Sequence, residues 1–363
     1  MKKFLMKVST LSVAGTLASG VAFAQIEVSN SDTGADSTND NDVVVVSTVD
    51  EDVDNSADIT NDAVATSLTG DNTTDENTGD GSVESGDAEI DGEVEDEVNA
   101  AVSFYTALFG DVDGELENDT TGADSTNTND VTVTQTLDVD LDNDATLLNI
   151  LDLFASSGAN SASENTGDGS IETGDADIET EMMSMVNWAS GSASGSFGDV
   201  DIEASNDTTG ADSTNENTVT VVQTIDLTVD NTADVSNDVV STAITGGNTS
   251  DENTGDGSVK TGKAETDTEI SDEVNQGGSD YEVELPDVSV KVANDTTGAD
   301  STNTNDVTVV SSADIDSDNE ADVTNTVDSF ASTGDNSSSE NTGDGLVVTG
   351  DASNTIVISD TVN

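Results

Sequence analysis

From Val43 onward, apolar and polar residues alternate. The odd positions carry Val43, Val45, Val49, Val53, Ala57, Ile59 and Ala63, and the even ones Thr48, Asp50, Asp52, Asp54, Asp58 and Asp62. The pattern returns as Val131, Val133, Leu137, Val139 and Leu141 against Thr132, Thr134, Thr136, Asp138, Asp140 and Asp142. A period of two sends alternate side chains to opposite faces of an extended chain, so it predicts strands with one buried and one wet face. Asn55 and Asn61 fall on the apolar side, and asparagine recurs at 143, 231 and 319 and at 149, 237 and 325. Asparagine tolerates turn and left-handed backbone, which reads as corners or solvated turns; equally, stacked copies can share side-chain amide bonds.

Two markers give the spacing of these strands. The segment TGADSTN begins at Thr33, Thr121, Thr209 and Thr297, and ENTGDG at Glu76, Glu164, Glu252 and Glu340, in each case 88 residues apart. A fainter echo, TGDNTTDEN, starts at Thr69, 36 residues after the first marker, so each copy reads as two related units. The repeats are placed at 25–117, 118–205, 206–293 and a truncated 294–363. Gly34, Gly70, Gly79, Gly81 and Gly86 recur in every copy, and tight turns with positive φ are expected there. A fixed period without insertions is the signature of stacked architectures, in which each repeat buries its apolar face on its neighbours. The predicted fold is all-β, with tandem 88-residue repeats stacked as a β-solenoid. A string of small β-sandwich domains is the alternative, because 88 residues suffice for one sandwich.

Residues 1–24 stand apart from this pattern. Lys2, Lys3 and Lys7 precede a mostly apolar stretch from Leu11 to Phe23, and Ala22-Phe23-Ala24 supplies small residues before Gln25. That is the arrangement of a cleaved secretory signal peptide, and the apolar stretch is shorter than the roughly 20 residues of a membrane-spanning helix. Setting it aside leaves three lysines and no arginine against 78 carboxylates, a net charge of −75. Such a chain repels nucleic acid and anionic lipid and attracts cations. The expected location is extracellular or at the cell surface, with no transmembrane span in the mature chain.

The repeated motifs resemble those of long secreted proteins encoded by bacterial candidate phyla, the Patescibacteria. The matching segments are Thr33 to Asn39, Val43 to Asn55 and Asn77 to Ala88, the last with Thr78-Gly79-Asp80-Gly81 and Ser85-Gly86-Asp87-Ala88, together with their counterparts one period on. The resemblance covers most of the mature chain. It implies an uncharacterised cell-surface or extracellular role and brings no catalytic residues with it.

Histidine, cysteine and arginine are absent, so serine–histidine and cysteine–histidine triads and histidine-based metal sites are excluded, and the chain is read as not an enzyme. Calcium is the cofactor expectation, because hard cations take several carboxylate and carbonyl oxygens. The candidate ligands are Glu76, Asp80 and Asp87, with Glu164, Asp168 and Asp175 and with Glu340, Asp344 and Asp351. Their spacing imitates a calcium loop, although no helices flank it and Lys263 replaces the last aspartate in the third copy. The other reading of these segments is polar turns. Aromatic residues gather in the least repetitive slot of each copy, and Phe104, Tyr105, Phe109, Trp188 and Tyr281 are the candidate contacts to a partner, either another copy or an envelope component. The alternative is a local core. The expected function is a secreted, acidic, repetitive structural or adhesive cell-surface protein; the alternative is an extracellular protein that binds calcium, other divalent cations or mineral through its acidic faces.

Overall fold

The computed structural model describes residues 2–11, 17–20, 24–99, 104–187, 192–276, 282–285 and 287–362. Every regular element among them is a strand. Three come first: β1 (Lys2–Leu11), β2 (Leu17–Gly20) and β3 (Ala24–Ser31). Then follow β4 (Thr38–Leu68), β5 (Gly81–Glu84), β6 (Ala88–Val98), β7 (Phe104–Leu108) and β8 (Val112–Asp119). The next coil is β9 (Thr126–Ser156), β10 (Gly169–Glu172), β11 (Ala176–Val186), β12 (Ser192–Ser196) and β13 (Val200–Asp207). The third is β14 (Thr214–Ile244), β15 (Gly257–Lys260), β16 (Ala264–Val274), β17 (Glu282–Glu284) and β18 (Val288–Asp295). The fourth contributes β19 (Thr302–Ser332), β20 (Gly345–Val348) and β21 (Ala352–Val362).

Equivalent strands of successive repeats lie side by side and parallel. Thr126 pairs with Thr38 on one side and Thr214 on the other, and the register holds over all 31 residues of the strand. Five sheets result, β4-β9-β14-β19 being the widest and β1-β6-β11-β16-β21 carrying the most strands. These sheets join different repeats, so a string of separate sandwiches is ruled out and the repeats form a β-solenoid with one coil per repeat.

Each coil is flattened. At roughly 3.3 Å per residue, a 31-residue strand extends about 100 Å. The chain then reverses and continues in four shorter strands, β5 to β8 after β4. Leu151 and Leu153 of β9 pack with Ile90, Val94 and Ile178 of the 11-residue strands. At the other end of the same long strand, Val131 and Val133 pack with Val112, Leu116 and Ile202. Strands usually run 3–10 residues; this one continues because its apolar alternation never changes phase and a parallel neighbour satisfies its backbone groups.

The markers are the reversals. TGADSTN turns the chain from β8 into β9 and supplies the first two residues of the long strand; ENTGDG lies in the turn at its far end. The sequence places glycine at the positive-φ positions of these turns, and the structure corrects this. Left-handed residues within the two markers are Asp36, Asp124, Asp212 and Asp300 (φ 58–60°) and Glu76, Glu164, Glu252 and Glu340 (φ 54–57°), whereas Gly247 is the left-handed glycine among the described residues. Glycine serves close approach instead: a Cβ on Gly158 would lie 1.9 Å from the carbonyl oxygen of Gly246 in the next coil.

The asparagines on the apolar side are not corners. Asn55, Asn61 and their equivalents lie within the long strands, and in the first three coils each side chain donates from Nδ2 to Oδ1 of its copy one coil on. Distances are 2.8, 3.0 and 2.7 Å along Asn61, Asn149, Asn237 and Asn325. Matching columns run from Asn39 through Asn127 and Asn215 to Asn303 and from Asn55 through Asn143 and Asn231 to Asn319. A buried amide with both halves engaged avoids the cost of an unpaired polar group.

At the amino-terminal edge, β1 pairs with β6 from Lys2 opposite Ala88 to Leu11 opposite Glu97. The segment read from sequence as a leader thus continues the most populated sheet. Among the described residues no helix is long and apolar enough to cross a membrane.

Candidate functional site: acidic columns and turn loops

In-register stacking turns every repeated acidic residue into a column. On the wet face of the long sheet, Asp50, Asp138, Asp226 and Asp314 stand opposite one another, as do Asp54, Asp142, Asp230 and Asp318. Asp52, Asp140 and Asp316 form a third column that Thr228 interrupts. Carboxylates thus repeat about every 6.6–6.8 Å along a strand and about every 4.7–4.9 Å across strands. The alternation in sequence shows the first spacing; only the register supplies the second.

The crowding perturbs titration. Asp140 is pushed above the ordinary carboxylate range by loss of water, with the charges of Asp52, Asp230, Asp138 and Asp226 adding to it. Asp142 is raised in the same way, by desolvation first and then by Asp140 and Asp230. On the second sheet, desolvation raises Asp177, which stands between Glu89 and Glu265 in its column and is repelled by both. Two lysines relieve such columns across one coil, Lys260 pairing with Glu172 and Lys291 with Glu203.

The nine calcium-ligand candidates fall into three columns. Glu76, Glu164 and Glu340 share one, in left-handed backbone at each level. Asp80, Asp168 and Asp344 share the second, where carboxylates act as rungs: Asp80 Oδ1 accepts the amide N–H of Asp168 at 2.9 Å, and Asp168 Oδ1 that of Asp256 at 2.8 Å. In the third, Asp87 Oδ1 accepts the N–H of Asp175 and Asp175 Oδ1 that of Lys263, with Asp351 at the last level. The loop spacing therefore yields stacked rungs between coils. Among the described residues no three His, Cys, Asp or Glu side chains gather as a group able to hold a metal ion.

A second set of polar groups was not singled out from the sequence. Asp96 and Asp272 are fully buried, on the inner face of β6 and β16. Asn61 donates to both carboxylate oxygens of Asp96 at 2.9 and 3.2 Å, and Asn237 to both of Asp272 at 3.2 and 3.1 Å. Ser184, buried between them in the column, has no partner for its hydroxyl. The signal was available: Asp96 interrupts the alternation Ala88, Ile90, Val94, Val98. At the outer end of this column Asp360 is raised by desolvation and by the charge of Asp272.

The variable slot is described in part. Phe104 and Tyr105 lie on β7, and Trp188 and Tyr281 lie outside the described residues. Phe109 is buried, 6% exposed, and meets Phe197 of the next coil edge to face with ring centroids 4.8 Å apart. Both pack on Leu137, Val139 and Leu141 at the middle of the long strand. A cavity of about 420 Å³ opens beside them, lined also by Asp111, Asp199, Leu285 and Asp287.

The chain has no match among family models, curated proteins or solved structures.

Proposed function

We propose that this is a secreted, acidic repeat protein that serves as a stiff structural or adhesive element at the cell surface, without catalytic activity. One observation carries the reading: each coil is joined to the next by parallel pairing that keeps the same register over a 31-residue strand. Such stacking adds length coil by coil while repeating one cross-section, which is the mechanical property of a spacer. The apolar leader pattern at residues 1–24 supports export, and the absence of cysteine means that stiffness comes from sheet and amide columns without disulfides. Fractionation of producing cells tests this reading: the protein is expected in the medium or envelope fraction with residues 1–24 missing by mass spectrometry. Intact chain confined to the cytosol would overturn it.

The two-dimensional carboxylate array favours a second reading, in which the long acidic face collects divalent cations or touches a mineral. Calcium then raises the melting temperature above that in sodium chloride of equal ionic strength, because binding to the folded state alone adds to its stability. Superimposed melting curves in the two salts would reduce the array to a screened surface.

A further inference from the structure

We infer that the protein stacks end to end with copies of itself, the outer edge of β18–β21 receiving β3–β6 of the next molecule in the parallel register that joins coils within one chain. This rests on the structural-element reading and names the partner.

The outer coil is built like a covered one. Val307, Val309 and Ile358 are 43, 46 and 44% exposed, while their equivalents one coil inward, Val219, Val221 and Ile270, are fully buried. The fourth coil keeps the stacking residues of the inner ones, with Asn303, Asn305 and Asn325 in their columns.

The two ends also match in place. Ala352 lies three pairing steps from Ala88, through Ala176 and Ala264. One further step of the same kind sets β21 of one molecule against β6 of the next, Ala352 opposite Ala88 and Val362 opposite Val98. The same step brings β18 to β3, β19 to β4 and β20 to β5, and each of these pairs has equal length. In the structure, β1 occupies the edge of β6 that β21 of the neighbour would take. The leader segment and the neighbouring molecule therefore compete for one edge, and removal of residues 1–24 opens it.

Polarity selects the arrangement. In every asparagine column Nδ2 donates toward the higher-numbered coil, from Asn39 to Asn127 and from Asn215 to Asn303. The last coil thus presents donor sides and the first coil acceptor sides. Head-to-tail stacking continues the column; head-to-head stacking sets donor against donor. A repeated heterologous contact whose rotation does not close grows into a filament. Stacking also sets Asp314 over Asp50 and Asp318 over Asp54, so assembly requires screening.

The chain contains no cysteine, which permits a geometric test. Glu97 and Thr361 are three coils apart within one molecule, through Met185 and Glu273, but face each other across the inferred junction. Adjacent parallel strands bring Cα atoms within the roughly 4.4–6.8 Å that a disulfide spans. The full chain carrying Glu97→Cys and Thr361→Cys, exported so that the leader is removed, is oxidised in about 1 M sodium chloride, where screening lengths fall to about 3 Å. A ladder of covalent multimers is expected on denaturing gels, with filaments in electron micrographs. Adding Val309→Lys and Ile358→Lys is expected to reduce the ladder at least tenfold. Val310→Lys with Val357→Lys, equal in charge but on the outer faces, is expected to leave it intact. Monomers alone, dimers alone, or equal loss in both lysine pairs would overturn the inference. Surface retention measured in the same cells reads the structural-element proposal separately.

Discussion

Asn61 donates its side-chain N–H to Oδ1 of Asn149, 2.8 Å away in space and 88 residues later in the chain. Asn149 passes the bond on to Asn237 at 3.0 Å. Replacing Asn149 by alanine breaks the column at a fully buried level and leaves Asn237 Oδ1 without its donor. A loss of about 1–3 kcal/mol is expected in urea titration, the cost of an unsatisfied buried polar group. The same change at Asn319, at the outer end of its column, is expected to cost less than about 0.5 kcal/mol, as exposed substitutions usually do.

Glycines offer a sharper contrast. A Cβ on Gly158 meets the carbonyl oxygen of Gly246 at 1.9 Å, while one on Gly79 meets nothing within 4 Å. Gly158→Ala is expected to destabilise by about 1–3 kcal/mol, the usual range for overpacking. Gly79→Ala is expected to be close to neutral. Equal midpoints for the two variants would contradict the close-approach role.

Acid and salt are both expected to stabilise the fold. Asp140, Asp142 and Asp177 are held above the ordinary carboxylate range, so the folded chain binds more protons than the unfolded one between the ordinary value and the raised one. Stability therefore falls as pH rises through that window. The melting temperature is expected to rise from pH 7 toward pH 5, and at pH 7 from low to high sodium chloride. Asp140→Asn is expected to raise it at pH 7 and to flatten the pH response. A melting temperature that drops on mild acidification would refute this account.

Stability is expected to depend on the number of coils. Residues 118–205 bury their edges only on the coils before and after them, so this segment alone is expected to lack the cooperative melting of the full chain. A segment covering 118–293 is expected to be more stable. If the single coil melts at the temperature of the whole, the sheets do not couple the repeats.

The sequence alone determined the period, the strands and the sign of the surface. Alternation is a local property, so Val131, Val133 and Leu137 reveal an inner face without knowledge of what covers it. Two markers with one constant spacing establish the repeat, while the choice between stacked coils and a string of sandwiches waited on the pairing between repeats; the carboxylate count sets the charge whatever the fold.

Register was decided only in three dimensions. Whether Asn61 turns a corner or pairs with Asn149 depends on which residue lies one coil away, and local propensity allows both. The same holds for Asp80: its spacing from Glu76 and Asp87 imitates a chelating loop, yet stacking places an amide N–H of the next coil against its carboxylate. Glycine shows the limit most clearly. A residue without a Cβ permits both positive φ and close contact, and only the 1.9 Å approach at Gly158 tells which freedom the fold uses.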